Sequence, residues 1–278
     1  MNLQAAIASI VERFSAAGIA SAQADAEILI SNHLGLSRGE LQARAITGQE
    51  FELSEIEEQV ARREAREPLQ HIIGFAPFRS LELRVGPGVF VPRFETELVA
   101  QLAIDFLRAI PGRPRAVDVG TGSGAIAISL ASETEAEVSA IELSADAADF
   151  ARENIERCGV SVDLVRGDFQ TELLKFTNLD LVVSNPPYIP LDATPIDPEV
   201  NHHDPELALY SGPDGLDAIR ELASLSEIAL RSGGMLILEH ADGQSDAVRE
   251  LLLEAGWRGV SVHPDPVGRL RAVSAIRK

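Results

Sequence analysis

The stretch AVDVGTGSGAIAISLA, residues 116–131, restricts the possible folds more than any other part of the chain. A short strand pattern, Ala116–Val119, runs directly into Gly120, Gly122 and Gly124, and an apolar helical pattern follows at once. Glycines let a backbone turn tightly and approach a ligand closely, while the N-terminus of the following helix offers unpaired N–H groups. A strand–loop–helix unit of this kind belongs in a parallel sheet, and the rest of the chain supplies one. Further strands are predicted at Val138–Ile141, Val162–Val165, Leu179–Val183 and Met235–Glu239, separated by helical stretches. Runs such as LDLVVS and MLILE suit strands buried on both faces, so the sheet is expected to carry helices on both sides. At the end of the chain, WRGVSVH and RAVSAIR are joined by a loop, Pro264–Leu270, that leaves no room for a helix. They are expected to pair as an antiparallel hairpin on the sheet edge.

Residues 3 to about 68 differ: apolar positions recur at three and four, and strand-type alternation is absent. Three or four short helices in a bundle are predicted, with turns at Gly18, Gly35 and Gly48. Ser21 is placed to cap the segment through Leu34, and the pairs Ser37 with Glu40 and Ser54 with Glu57 have capping-box spacing. Arg62, Arg63 and Arg66 alternate with Glu64 and Glu67 and read as a solvated helix face. Between the two regions, FRSLELRVGPGVFV at Phe78–Val91 alternates apolar positions and breaks at Gly86-Pro87-Gly88, which predicts a hairpin. The chain thus divides into a helical domain, residues 1–75, a hairpin linker, 76–92, and a sheet domain, 93–278.

Composition narrows the function classes. No apolar run approaches the ~20 residues that a membrane span requires. The N-terminus, MNLQAAIASIVERF, lacks a basic leader and carries Glu12 in its apolar stretch, so no secretory signal is expected. The single cysteine, Cys158, excludes an internal disulfide framework and a cysteine-rich zinc site, which fits a reducing cytoplasm. Cys158 itself reads as a small residue near a helix end. His202 and His203, beside Asp204 and Glu206, read as a solvated loop, and His33, His71, His240 and His263 form no pattern, so no metal is expected. The net charge of −19, from 24 basic against 43 acidic residues, opposes binding to a nucleic-acid backbone.

The glycine loop leaves the ligand open, because Gly120, Gly122 and Ala125 also satisfy the dinucleotide fingerprint. Glu142 ends the second strand of this sheet, about twenty residues on, where a carboxylate accepts hydrogen bonds from both ribose hydroxyls. NAD and S-adenosylmethionine share that ribose. Beyond the third strand, Asp168 is placed to accept from the exocyclic amine of an adenine and Phe169 to give it a flat contact; the competing reading is a turn acid and a core aromatic. The fourth strand runs into Ser184-Asn185-Pro186-Pro187-Tyr188-Ile189. Two prolines supply no N–H and hold the residues before them extended, so the loop is stiff and presents acceptors. Asn185 Oδ1 and the Pro186 carbonyl can accept both hydrogens of one NH2 group, fixing its plane. An amide nitrogen delocalises its lone pair and is a poor nucleophile; holding both N–H bonds favours pyramidalisation. With a sulfonium as electrophile, the protein mainly has to align the reacting atoms at about 3–3.5 Å and stabilise shifting charge. Tyr188 can pack over the planar group and exclude water.

On the segments DAEILISNHLGLSRGEL, EPLQHIIGFAPF, VFVPRFETE, VDVGTGSGAIA, SNPPYI and ALYSGPDGLDAIREL, taken in this order, the chain resembles the HemK-like peptide chain release factor glutamine methyltransferases over nearly its whole length. Asn-Pro-Pro-Tyr also occurs in adenine-N6 DNA methyltransferases, but the segments Pro92–Glu97 and Gly212–Leu216 are not expected there. The resemblance implies a Rossmann-like class I methyltransferase sheet, mostly parallel with an antiparallel C-terminal hairpin, behind a small N-terminal helical bundle. It implies transfer from S-adenosylmethionine to the N5 amide of the glutamine in the Gly-Gly-Gln motif of bacterial class I release factors, leaving S-adenosylhomocysteine. Gly120, Thr121, Gly122, Ser123 and Gly124 would cradle the methionine portion, Glu142 the ribose, and Asp168 and Phe169 the adenine. Asn185, Pro186, Pro187 and Tyr188 would hold the glutamine, with Asn185, Pro186 and Tyr188 catalytic and Asn185 also touching the cofactor. Phe94 stands where the family usually has proline, Phe169 where tryptophan is frequent, and Asp204-Pro205 where Glu-Pro is common. Arg93 and Glu95 either border the active site or form an interdomain salt bridge. Residues 1–75 would recognise the protein substrate, and the chain is expected to act as a cytoplasmic monomer without direct nucleic-acid or membrane contact. The alternatives are a ribosomal-protein glutamine methyltransferase, an adenine-N6 nucleic-acid methyltransferase, an NAD-linked oxidoreductase and a non-catalytic nucleotide sensor. The second of these would need a basic groove for a flipped base.

Overall fold

The computed structural model describes residues 1–195 and 197–278. It forms two compact units, residues 1–75 with 197–203, and residues 76–195 with 204–278. The first unit contains α1 (Leu3–Ala16), α2 (Ala22–Leu34), α3 (Arg38–Ile46), α4 (Glu57–Glu64) and α5 (Leu69–Ile73). In α1 the inward stripe is Leu3, Ala6, Ile10 and Phe14, spaced at three and four, and it packs with Ile30, Leu41, Ile56 and Val60. Ser37 and Glu40 form the expected capping box. Two other caps do not form. Ser21 makes no side-chain bond at the start of α2, and Ser54 lies inside a 3₁₀ turn, Leu53–Ile56. Ile56 takes the position before α4 and is fully buried, so core packing overrides the capping signal.

The basic cluster is not a solvated face. Arg62 pairs with Glu67, but Arg63 is only 5% exposed. Its Nε donates to Asp25 Oδ2 at 2.8 Å and its Nη1 to Glu199 Oε1 at 2.8 Å, while Arg66 Nη2 donates to Glu199 Oε2 at 2.6 Å. Burial alone would raise the Glu199 carboxyl; hydrogen bonds with Asp197, Arg66 and Arg63 outweigh it and hold the group below the usual carboxylate range.

A two-stranded ribbon, β1 (Phe75–Phe78) and β2 (Leu81–Arg84), leads into the second unit. The ribbon turns at Arg79-Ser80, earlier than the Gly86-Pro87-Gly88 turn that the sequence predicts. Arg79 has φ 53°, donates its N–H to Glu97 and pairs with Glu133 at 2.7 Å. There follow α6 (Thr96–Arg108), β3 (Arg115–Val119), α7 (Ala125–Glu133), β4 (Glu137–Glu142), α8 (Ala145–Cys158), β5 (Val162–Arg166), α9 (Phe169–Glu172) and β6 (Leu179–Ser184). Next come α10 (Pro198–His203), which belongs to the first unit, then α11 (Asp217–Ala229), β7 (Leu230–Glu239), α12 (Ser245–Glu254), β8 (Arg258–Pro264) and β9 (Leu270–Ile276). Val85, Val89 and Val91 pack with Ala147 of α8, so their alternation reflects packing rather than strand pairing.

The seven-stranded sheet has the order β5-β4-β3-β6-β7-β9-β8. β3 pairs in parallel with β4 and β6, and β9 runs antiparallel between β7 and β8. This is the expected α/β sheet with its C-terminal hairpin. β6 is buried at all six positions and feeds both cores. Val117, Val182 and Leu236 face Ile219, Leu222 and Leu252, while Ala116, Leu181, Val183 and Ile237 face Val99, Ile104 and Leu130. Cys158 ends α8, half-buried, and burial raises its thiol. His202 and His203 lie on α10 rather than in a loop. Among the described residues no helix is long and apolar enough to cross a membrane.

Candidate active site

From β3 the chain builds outward one way through β4 and β5 and the other way through β6 and β7, so the strand order reverses between the parallel neighbours β3 and β6. Open parallel sheets bind ligands beyond the strand ends at such a point. The two predicted loops meet there. Ser184, the last residue of β6, donates its hydroxyl to the Val119 carbonyl at 2.6 Å, immediately before Gly120.

Gly122 adopts φ 58°, a left-handed conformation that turns its N–H onto Glu142 Oε2 at 2.8 Å. Glu142 Oε1 accepts from Ser144 N at 2.8 Å, so the carboxylate is held on both oxygens by backbone. A Cβ placed on Gly120 or Gly122 would meet no atom within 4 Å. The outer side of the loop is therefore open to a ligand. Beneath it, Asp118 accepts from the Thr121 hydroxyl at 2.5 Å and from Ala127 N at 3.1 Å. Burial pushes the Asp118 carboxyl up to about 7 against those two hydrogen bonds, and the charge of Glu142 adds to the rise. The Ser123 carbonyl accepts from Asn154 Nδ2 at 2.9 Å. Asn154 is fully buried and also exchanges hydrogen bonds with the Arg84 backbone, tying the loop to β2. Sequence reading passed over Asn154; its one signal is a polar residue on the apolar side of α8.

Asp168 and Phe169 both have structural employment. Asp168 Oδ1 caps α9 by accepting from Gln170 N at 2.9 Å, and Phe169 is half-buried against the core that includes Leu173.

In the Asn185–Tyr188 loop, Pro186 is buried and its neighbours are half-buried. Asn185 Nδ2 donates to Thr96 Oγ1 at 3.1 Å. The Tyr188 hydroxyl reaches Glu239 Oε1 at 3.3 Å, and the Tyr188 carbonyl accepts from Gln244 Nε2 at 3.0 Å. Burial, with the charge of Glu239, pushes the phenol well above its ordinary value and keeps it neutral. Burial also lifts the Glu239 carboxyl to about 7, against the hydrogen bond from Tyr188 and the charge of Arg271. Ile189 and Leu191 are pinned by Leu209, Ser211 and Gly212 through three backbone hydrogen bonds of 2.8–3.0 Å. Arg93 pairs with Asp204 at 2.8 Å within the second unit, so this ion pair is not interdomain. Its guanidinium also lies 5.0 Å from the centre of the Phe90 ring.

Gly215 closes the support of this loop. A Cβ there would lie 2.3 Å from the Tyr188 carbonyl oxygen, and φ is 78°. Gly215→Ala is expected to displace the loop and lower kcat about tenfold, or about 1.4 kcal/mol in the barrier. Steady-state methylation assays would check this; unchanged kcat would show that the loop does not depend on that contact.

Residues 5–74 match the PrmC N-terminal domain and residues 80–195 the methyltransferase small domain. The release factor glutamine methyltransferase of Streptomyces coelicolor is 49% identical over 281 residues, covering 99% of this chain and 98% of that protein. The chain belongs to the release factor glutamine methyltransferase family. Members from Mycobacterium tuberculosis and Deinococcus radiodurans are 41% and 40% identical, with 100% of this chain covered in each case and 92% and 99% of theirs. Solved structures share the fold. A methyltransferase from Pyrococcus furiosus gives a TM-score of 0.52 at 18% identity, covering 81% of this chain and 98% of that one. A 16S rRNA methyltransferase from T. thermophilus, solved with AdoMet and guanosine, gives 0.54 at 19% identity, covering 73% and 50%. The resemblance seen in the sequence motifs therefore holds over the full length. As a member of this family the chain is a methyltransferase, and the oxidoreductase and nucleotide-sensor readings fall away.

Proposed function

We propose that this enzyme transfers a methyl group from S-adenosylmethionine to the N5 side-chain amide of the glutamine in the Gly-Gly-Gln motif of bacterial class I release factors, as a cytoplasmic monomer. The observation that carries this reading is the Asn185 amide. Its NH2 end is engaged by Thr96, which leaves Oδ1 as the end available to a substrate NH2. The full-length relatives carry the name of this reaction. The open face of the glycine loop and the backbone-held carboxylate of Glu142 suit the proposed cofactor. When bound, S-adenosylmethionine supplies a methyl group on a positively charged sulfur.

The protein's own residues have the following parts. Gly120, Thr121, Gly122, Ser123 and Gly124 hold the methionine portion. Each Glu142 oxygen accepts one backbone N–H and keeps lone-pair capacity for a ribose hydroxyl. Asp168 and Phe169 receive the adenine, oriented beforehand by the cap on α9 and by core packing. Asn185 Oδ1 and the Pro186 carbonyl accept both hydrogens of the glutamine NH2, which holds the nitrogen lone pair out of conjugation. Pro187 stiffens the acceptor pair, and neutral Tyr188 closes the site. The helical unit recognises the protein substrate. The net charge of −19 favours a protein partner over direct contact with nucleic acid.

Mass spectrometry of a purified class I release factor after incubation with the enzyme and S-adenosylmethionine tests the reading. One added methyl group on the Gly-Gly-Gln glutamine is expected. No modification of any release factor, with methylation of a ribosomal protein instead, would transfer the assignment to that substrate.

A further inference from the structure

We propose that Phe94, Leu191 and Leu207, each set beside a carboxylate, form the surface on which the release factor docks around the acceptor loop. The inference rests on the reading that a class I release factor is the substrate. It assigns to the second unit a contact with the release-factor segments that flank the target glutamine, through residues outside Asn185–Tyr188 and outside the glycine loop.

Three segments are fastened to one another here. Asn185 Nδ2 donates to Thr96 Oγ1 at 3.1 Å, which joins the acceptor loop to the start of α6. The Ile189 N–H donates to the Leu209 carbonyl at 2.8 Å and the Leu191 N–H to the Gly212 carbonyl at 3.0 Å, which joins the same loop to residues 204–212. Arg93 Nη2 donates to Asp204 Oδ2 at 2.8 Å and closes the circuit between residues 204–212 and residues 93–96. Each segment carries one large apolar side chain left in solvent: Phe94 is 63% exposed, Leu191 65% and Leu207 55%. Exposed apolar side chains scattered singly are ordinary on a protein surface. Three of them on one hydrogen-bonded circuit, around the loop that receives the substrate, mark a surface with a partner. The circuit already holds its segments in place, so little ordering remains to oppose binding.

The neighbouring charges select the kind of partner. Glu95 follows Phe94, Asp192 follows Leu191, and Glu206 precedes Leu207. Asp192 and Glu206 are exposed and Glu95 is half-buried. None of these three carboxylates takes a hydrogen bond or an ion pair among the described residues, while the nearby cation, Arg93, is engaged by Asp204. A nucleic-acid backbone would meet three carboxylates without a counterion and is repelled. Small molecules take concave sites that enclose them, whereas these apolar side chains stand in solvent. A polypeptide with apolar side chains and lysine or arginine on either side of its target glutamine satisfies both features. Apolar contacts hold it, and the carboxylates steer its approach. Two other exposed apolar residues of the unit, Ile228 in α11 and Leu253 in α12, come just before β7 and β8, at the opposite end of the sheet from this loop.

The test uses the full-length enzyme, a purified class I release factor and S-adenosylmethionine, with initial rates resolved into kcat and the KM for the release factor. Phe94→Ser, Leu191→Ser and Leu207→Ser are each expected to raise that KM about fivefold, and the triple variant at least about thirtyfold, with kcat changed much less. Affinity for S-adenosylmethionine, measured by calorimetry, should stay within about twofold, because the glycine loop and Glu142 are untouched. The control pair Ile228→Ser with Leu253→Ser should keep the wild-type KM. Asp192→Asn with Glu206→Gln should raise KM about threefold at low salt and flatten its rise with ionic strength. Should the triple variant fail to fold, the single variants decide. A wild-type KM in the apolar variants, or an equal rise in the Ile228 and Leu253 control, would overturn the docking surface; an unchanged salt dependence in the charge variant would overturn the role of the carboxylates. Failure of the wild-type enzyme to methylate any release factor would overturn the substrate reading instead, an outcome separate from any change of KM among the variants.

Discussion

Replacing Asn185 by alanine is expected to lower kcat by about 10²–10³-fold, on the order of 3–4 kcal/mol in the barrier, the usual cost of removing one preorganised polar group from a reacting centre. The group lost is the side-chain acceptor for the substrate amide; the Pro186 carbonyl alone can hold one N–H but cannot fix the plane. Support for the loop should survive the substitution. Ser184 still bonds Val119, Gln244 still holds the Tyr188 carbonyl, and Ile189 keeps its backbone partners. Cofactor binding should change much less than turnover, since the glycine loop and Glu142 are untouched and Asn185 supplies at most one contact to it. Single-turnover methylation together with calorimetric titration of S-adenosylmethionine separates the two quantities. A kcat within threefold of wild type, or a loss confined to cofactor affinity, would remove Asn185 from the chemistry.

What could be read from the sequence, and what could not, follows from the range of the interactions. The strands were legible because β6, LDLVVS, is buried on both faces and reads as one apolar run. Asn-Pro-Pro-Tyr was legible because its geometry is local: prolines restrict their own neighbours. The polar groups that support the site have partners far away in the chain. Asn185 and Thr96 are 89 residues apart, Tyr188 and Glu239 51, and Asn154 and Arg84 70. Nothing in the local sequence marks Thr96 as different from any threonine near a helix start. The segment around Gly215 was recognisable as a family marker, yet its physical role, making room for the Tyr188 carbonyl, appears only when two loops are brought together. Local signals also misled where packing won. Ser54 has capping-box spacing, but burial of Ile56 sets the start of α4. Alternation after Arg84 suggested a second hairpin strand, but Val85, Val89 and Val91 pack against α8 instead.

Arg63 shows the same effect in charge, and Arg63→Ala is expected to destabilise the helical unit by about 3–5 kcal/mol, the range for removing one partner of a buried ion pair. The sequence RREAREP suggests an exposed alternation of signs, yet the side chains of Arg63, Asp25 and Glu199 are 7%, 8% and 10% exposed. Alanine would leave two carboxylates in place of a paired cluster. Glu199 would keep Arg66 on its other oxygen at 2.6 Å, which limits its share of the loss. Asp25 would lose its Arg63 hydrogen bond without a second arginine to replace it. The cost should therefore fall mainly on Asp25, and the double variant Arg63→Ala with Asp25→Asn should recover part of the stability lost by Arg63→Ala alone. Because the chain forms two units, global unfolding is a poor measure. Hydrogen exchange of α2 and α4 amides under native conditions reads the helical unit directly. A change below about 1 kcal/mol there would place the pair among surface ion pairs, and an Asp25→Asn substitution that recovers nothing would mean that the penalty arises from lost packing of the arginine stem.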